Sequence, residues 1–335
     1  KGLTSLPGSR ERARLIIGQR GLGKTVLLLE LADYARKNDY IVASPTVVSN
    51  DMLDRILEKL NRDGDKLLSH EKSRITGGSV GFLGFSAGIQ TEHKEQVKRS
   101  FADRLQTICE QAEEVGKGVL ILVDEVQSGS EELKKLIIAY QEMVGMDMNI
   151  SMVLAGLPSA ISQTLNQHVL TFLNRASKLY LEPISIPEIE LYYRRSFEKL
   201  CISLKDELIA KAAGMTEGSP YLMQLVGHYI TVSSSDEGFI SEKEFDRALS
   251  ISKDEFIRDV CETTIYPLSM KDVEFLRAMA QDSNESSMKD ICARLSVDST
   301  YANRYRTRLL QSDVIKQKRR GVVEFAGPHL RDYLL

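Results

Sequence analysis

No apolar run in this chain of 335 residues is long enough to cross a bilayer. The longest near the middle, Val119–Val123, falls far short of the roughly 20 residues that a spanning helix needs. No secretory leader pattern follows Lys1. Cysteine is scarce: Cys109, Cys201, Cys261 and Cys292 are scattered, without metal-ligand spacing and without a disulfide framework. The expectation is a reducing, cytoplasmic setting with no membrane partner. Internal repeats and low-complexity tracts are missing as well. A net charge of −3 is too small to argue for or against nucleic acid. What remains is ordinary for a soluble globular protein, 42% hydrophobic and 27% charged, and the length suggests two or three domains.

From Arg14 to about Leu181 short β-rich runs alternate with amphipathic helical stretches, the pattern of an α/β layered domain. The strand candidates are Arg14–Ile17, Tyr40–Ser44, Val119–Val123, Ser151–Ala155 and Lys178–Leu181. Helical patterns lie between them at Thr25–Lys37, Asn50–Leu60, Lys98–Val115 and Ser130–Val144. Ile75–Ile89 interrupts the alternation with five glycines among apolar residues; it reads as a short hairpin or a ligand-contacting loop. Strand signals vanish from Ile186 to Tyr266. Beyond Pro267 come three helical stretches and a hairpin, Val314–Gln317 with Val322–Phe325, which together make a winged-helix outline.

Chemistry concentrates first at Gly18-Gln19-Arg20-Gly21-Leu22-Gly23-Lys24-Thr25, a G-x-x-x-x-G-K-T phosphate loop between an apolar strand and a helix that continues with Val26. Glycines allow backbone N–H groups to curl around phosphate oxygens, and the helix adds its positive end. Lys24 is expected on the β- and γ-phosphates and the Thr25 hydroxyl on Mg²⁺. A second signal is Val119–Val123 followed by Asp124 and Glu125. Five apolar residues read as a strand buried on both faces, with two carboxylates at its C-terminal end, where open α/β sheets bind ligands. Asp124 is expected to hold the metal and Glu125 to polarise the attacking water.

The C-terminal segment from Leu268 carries 12 Lys and Arg against 9 Asp and Glu. Its basic residues crowd between 301 and 320, where seven cations face only Asp313, a local stripe suited to phosphate backbones. Helical spacing turns Ala302, Tyr305 and Leu309 inward and Thr300, Arg304 and Thr307 outward, flanked by Asn303 and Arg308. Arg and Asn are side chains that read guanine and adenine edges in the major groove. Lys316, Lys318, Arg319 and Arg320, ahead of Gly321, would form a wing tip on phosphate. Double-stranded DNA is therefore the expected partner.

The phosphate loop, the Asp124-Glu125 pair, a strand ending Leu154-Ala155-Gly156-Leu157-Pro158, a helical segment and the terminal winged-helix outline together resemble AAA+ ATPases. The likeness is to the origin-recognition and initiator branch and to STAND-type relatives. It implies an α/β parallel-sheet P-loop core over 1–183, a helical lid domain over 184–266 and a winged-helix domain over 267–335. It also implies ATP/ADP and Mg²⁺ as cofactors, and self-association through the core. Gly218-Ser219-Pro220 resembles the G-x-P motif whose proline, here Pro220, approaches the nucleotide in STAND proteins. Arg175, before the last core strand, stands where the family places an arginine finger serving a neighbouring subunit. Gln127 and Ser159 are further polar candidates. The chain departs from the family at Ala155 and Gly156, where a γ-phosphate-sensing polar residue is usual, and the Gly218-Ser219-Pro220-Tyr221 stretch lacks the usual sensing arginine. A slowly hydrolysing, nucleotide-controlled ATPase that regulates DNA binding or assembly is the expectation. The alternative is a signalling NTPase whose winged helix contacts a protein partner.

Overall fold

Strands that are apolar throughout can be satisfied only inside a sheet covered on both faces, and the first half of the chain builds such a sheet. The computed structural model describes residue 3 and residues 5–72, 99–235 and 237–335; the glycine-rich stretch 75–89 lies outside the described residues. The chain divides into two units, Lys1–Gly18 with Lys24–Tyr180, and Gln19–Gly23 with Leu181–Leu335.

The first unit runs β1 (Ala13–Ile17), α1 (Lys24–Arg36), β2 (Tyr40–Val47), α2 (Met52–Lys72), α3 (Phe101–Glu114), β3 (Gly118–Asp124), α4 (Glu131–Gly145), β4 (Ile150–Gly156), α5 (Pro158–Leu165), a 3-10 helix His168–Arg175, and β5 (Ser177–Tyr180). The strands are all parallel, in the order β2-β3-β4-β1-β5. Each expected core strand is present within about three residues at either end. β3 and β4 are buried at every position. Val119, Ile121 and Val123 pack with residues of α2, α3 and α4, while alternation sends Leu120 and Leu122 to the opposite face, the side occupied by α1 with its buried Leu28, Ala32 and Ala35. The parallel arrangement gathers the C-terminal ends of β1, β3 and β4 at one edge of the sheet, which is where the phosphate loop and the acidic pair emerge.

The opposite edge is held by a buried cation. Arg12 is 5% exposed and has no carboxylate partner among the described residues. Its guanidinium instead donates to the Asn149 side-chain oxygen at 2.7 Å, the Ser151 hydroxyl at 3.2 Å, the Ser5 carbonyl at 2.9 Å and the Tyr40 hydroxyl. The Tyr40 hydroxyl donates in turn to the Leu3 carbonyl at 2.6 Å. A desolvated guanidinium is tolerable when its N–H groups are satisfied in this way.

The second unit runs α6 (Ile186–Lys199), α7 (Asp206–Met215), α8 (Pro220–Ser233), α9 (Glu242–Phe256), a π turn Ile257–Glu262, α10 (Thr263–Ile265), α11 (Met270–Ala280), β6 (Glu285–Ser287), α12 (Met288–Leu295), α13 (Ser299–Gln311), β7 (Ile315–Arg319), β8 (Val322–Phe325) and α14 (Leu330–Leu334). β6, β8 and β7 form a small antiparallel sheet in that order. One apolar cluster extends from Ile189 and Tyr193 through Phe245, Phe256 and Phe275 to Leu309, Val323 and Leu334. The hairpin anticipated from sequence is β7–β8; its third strand, β6, carried no sequence signal. Among the described residues no helix is long and apolar enough to cross a membrane.

The Arg12 edge generates a stability test. A Cβ on Gly118 would stand 2.4 Å from the Tyr40 ring, and that ring is fixed by its hydroxyl. Gly118→Ala should therefore destabilise the chain by about 1–3 kcal/mol, the usual cost of overpacking. Urea unfolding against wild type measures this, and an unchanged midpoint would show that Tyr40 moves freely.

Candidate nucleotide site and basic C-terminal surface

Beyond β1 the Gly18 N–H donates to the Gly156 carbonyl at 3.3 Å, which fixes the start of the loop beside the end of β4. Gly21 and Gly23 have φ of +76° and +77°, a backbone region in which a side chain is strained. Lys24 opens α1, and its ammonium donates to the Gly18 carbonyl at 2.8 Å, closing the loop on itself. Gln19 and Leu22 are half-buried, and Arg20, Thr25 and Val26 are exposed.

One contact joins the two sequence signals. The Thr25 hydroxyl donates to Asp124 Oδ2 at 2.6 Å, across 99 residues of sequence. Asp124 is 4% exposed, and its other oxygen accepts the Glu125 N–H at 2.9 Å. The strand then breaks: Glu125 lies at φ +50°, uncommon for a residue with a side chain and characteristic of functional turns. The Val126 N–H returns to the Ala155 carbonyl at 2.9 Å, so the turn is pinned to β4 while Glu125 projects outward, exposed. A loop with two left-handed glycines, a lysine and a hydroxyl beside a buried carboxylate suits a phosphate chain and a hard cation. No group of three or more His, Cys, Asp or Glu among the described residues could hold a metal alone. The Thr25 hydroxyl and Asp124 would offer two oxygens to Mg²⁺, which commonly takes one or two protein oxygens and completes its shell with phosphate and water.

The strand end at Ala155-Gly156 is tightly packed. Ala155 is fully buried, and a Cβ on Gly156 would lie 3.1 Å from Val126 Cβ and 3.2 Å from Ile161 Cδ1. A side chain at Gly156 would crowd both of these neighbours. Ser159 lies in the first turn of α5, half-buried, and Gln127 is exposed. Arg175 ends the 3-10 helix, exposed, and makes no hydrogen bond or ion pair among the described residues.

Gln19–Gly23 pack with the second unit. A Cβ on Gly21 would stand 3.6 Å from Ser219 Oγ and 4.0 Å from the Phe256 ring, and one on Gly23 3.8 Å from Pro220 Cβ. Pro220 thus lies beside Gly23, and Ser219 caps α8 by accepting the Leu222 N–H at 3.3 Å. Gly218, at φ +79°, has room for no Cβ, which would meet the Ile184 carbonyl oxygen at 2.7 Å. Glu217 accepts the backbone N–H of His329 at 3.3 Å, and the His329 ring meets the Met215 carbonyl at 2.7 Å. Sequence reasoning missed Phe256 and His329, whose positions depend on tertiary packing and follow no local pattern.

On α13 the helix starts at an Asp298 cap that accepts the Tyr301 N–H at 2.8 Å. Ala302 and Leu309 are buried, Tyr305 is half-buried, and Thr300, Asn303, Arg304 and Thr307 are exposed, as the helical spacing required. Arg308 is committed to structure: it donates to Asp272 at 2.5 and 2.8 Å and to Ser269 at 2.9 Å. Lys316 and Lys318 both reach Glu324, at 3.0 and 3.1 Å, and Arg319 donates to Glu285 at 2.7 Å. Arg306 donates to the neutral Gln317 at 2.5 Å. Arg304 and Arg320 make no bond among the described residues. The stripe that looks strongly basic between 301 and 320 is therefore partly neutralised by Asp272, Glu285 and Glu324, all outside it in sequence.

The loop–strand contact can be tested without nucleotide. Thr25→Val keeps size but deprives buried Asp124 of a donor, so it should lower stability by about 1–3 kcal/mol, with Thr25→Ser close to wild type. Chemical denaturation of the nucleotide-free protein measures both.

Comparison with known proteins agrees with this geometry. Residues 8–165 match the family described as AAA domain, and residues 258–334 match a domain of unknown function, DUF8462. No curated protein matches the sequence significantly. Among solved structures, a Walker-type ATPase of Pyrococcus abyssi is similar at TM-score 0.67 and 17% identity, covering 96% of this chain and 91% of its own. The ORC2 protein of Aeropyrum pernix, solved as ADPNP-ADP complexes, is similar at TM-score 0.64 and 16% identity, covering 96% and 85%. Its ADP form gives TM-score 0.56 at 16% identity, covering 96% and 86%. Residues 8–165 thus match the AAA domain family, and the chain shares its fold with the Pyrococcus abyssi and Aeropyrum pernix structures.

Proposed function

We propose that this protein binds ATP and ADP with Mg²⁺ at Gly18–Val26 and Asp124, and hydrolyses ATP slowly. In this reading nucleotide regulates duplex DNA binding or assembly through residues 267–335, acting as a winged helix beside a helical lid domain over 184–266. The observation that carries the nucleotide half is the Thr25–Asp124 hydrogen bond of 2.6 Å, which sets the helix of a phosphate loop against the acidic end of a buried strand. Lys24 is assigned to the β- and γ-phosphates. Thr25 and Asp124 supply oxygens for the cation, which when bound would neutralise developing phosphate charge. Glu125 is assigned to orient and polarise water, a role supported by its exposure and by its pinned left-handed turn. Pro220 is assigned to the nucleotide through its place against Gly23, and Arg175 to a neighbouring subunit's site. Slow turnover is supported by Ala155 and Gly156, since no polar side chain at that strand end can follow the γ-phosphate.

Support for the DNA half comes from three helices, α11, α12 and α13, next to the β6-β8-β7 sheet, with Asn303 and Arg304 outward on α13. Counting Arg304, Arg306 and Arg320, about three cations are available to phosphate, which gives a salt slope of about −3.

Three expected outcomes follow. Lys24→Ala should abolish Mg²⁺-ATP binding in calorimetry while leaving thermal stability intact. Glu125→Gln should keep binding but slow hydrolysis by about 10² to 10⁴. Unchanged turnover in the second variant would remove Glu125 from catalysis. For the duplex, Arg304→Ala should lose about 1–3 kcal/mol on a preferred site and far less on random sequence, read by fluorescence anisotropy over a salt series. Wild-type protein that binds no duplex at low salt, with or without ATP, would leave protein contact as the role of residues 267–335.

A further inference from the structure

Three cations of the proposed DNA surface are answered by two carboxylates that face each other across the sheet. Glu285 on β6 and Glu324 on β8 are direct antiparallel partners, and Lys316 on β7 is in register with Glu324. Like charges opposite each other in a sheet are unfavourable, so this pair needs its cations. Glu324 accepts from Lys316 at 3.0 Å and Lys318 at 3.1 Å, with 18% of its side chain exposed. Arg319 binds Glu285 with both of its terminal nitrogens. Hydrogen bonds from Arg319 hold the Glu285 carboxyl below the usual carboxylate range. Burial pushes the Glu324 carboxyl up, yet the hydrogen bonds from Lys316 and Lys318 outweigh it and keep Glu324 low as well. Both groups are therefore anionic at neutral pH.

We infer that Glu285 and Glu324 act as an acidic brake on this surface: they occupy Lys316, Lys318 and Arg319 in the free protein, and a DNA phosphate must displace them to gain those cations. The inference rests on the reading of residues 267–335 as a duplex-binding module and deepens it. A strip of five charged side chains carries a net charge of only one, so loose encounters with random duplex gain little. Arg304 and Arg320, which have no acidic partner among the described residues, give the first contacts. The remaining cations contribute only when phosphates lie close enough to outcompete a carboxylate in contact with them. Lys316 and Lys318 are each half exposed, so solvent and salt screen their hold on Glu324, which makes such an exchange feasible, whereas a carboxylate left facing phosphate repels it.

The test is a double-mutant cycle on the intact protein, using a mixed-sequence 20-base-pair duplex and anisotropy between 0.05 and 0.3 M salt. Glu324→Gln should tighten binding about fivefold to tenfold near 0.1 M and steepen the salt slope by about 0.9, the effect of one further phosphate contact. Lys316→Met should cost little in wild type and at least about threefold more in the Glu324→Gln background, because only there is the lysine free to serve DNA; such coupling between neighbours is what the cycle isolates. Strictly additive effects, or an unchanged slope in Glu324→Gln, would overturn the brake while leaving duplex binding, and its loss in Arg304→Ala, intact. No duplex binding by wild type or any variant would overturn both the module reading and the brake. Should Glu324→Gln melt early, Glu285→Gln with Arg319→Met forms an equivalent cycle on the neighbouring pair.

Discussion

A carboxylate that is 4% exposed must find donors, and the arrangement of the first unit follows from where Asp124 finds them. One oxygen takes the amide of the next residue, and the other takes the hydroxyl that opens α1. Satisfying that second oxygen fixes the distance between β3 and α1, although β4 lies between β3 and β1 in the sheet. The loop before α1 must then arch over the end of β4, where Gly18 meets Gly156. The same carboxylate ends the strand: once its oxygen caps the Glu125 N–H, the backbone turns left-handed and Glu125 leaves the sheet. A stability requirement and a chemical arrangement are thus met by the same atoms.

The core was legible in the sequence because each of its signals is local. Five apolar residues in a row, a glycine-lysine-threonine loop and two acids at a strand end each declare themselves within ten residues. Parallel strands buried on both faces leave little choice of register. Helix α13 was legible for a related reason, since Ala302 and Leu309 fix its inward face. The elements that escaped depend on distant partners. β6 is Glu-Ser-Ser, without a β-branched residue; it forms because β8 supplies hydrogen bonds and because the buried Ser286 hydroxyl donates to the Met279 carbonyl at 3.1 Å. α2 runs on to Lys72, well past Leu60, where its apolar spacing stops marking it.

Charge was the least legible quantity. A count along residues 301–320 sees one acid, yet Glu285 reaches Arg319 from 34 residues away and Asp272 reaches Arg308 from 36. A basic stretch in sequence is a statement about the unfolded chain; the folded surface depends on which acids the topology delivers beside it. The turn at residues 216–220 teaches the converse. Its glycine and proline read as a motif, and the structure gives each a steric reason, Gly218 against Ile184 and Pro220 against Gly23. The tie from Glu217 to His329, 112 residues on, has no local trace.

The strand order also governs when the phosphate loop can come into being. β1 precedes its partners in the chain: among the described residues its neighbours are β4 and β5, so residues 13–17 pair with β4 once about residue 156 has been made. Among the described residues β2 pairs with β3 alone and waits in the same way. The closing of such long loops costs entropy before any contact repays it, and topologies of this kind fold slowly. The glycine loop, although synthesised before β2, β3 and β4, is therefore among the last parts of the first unit to take shape. Competence for nucleotide then reports completion of the sheet, and a nascent chain that stops short of β4 has a phosphate-binding sequence with no phosphate-binding loop.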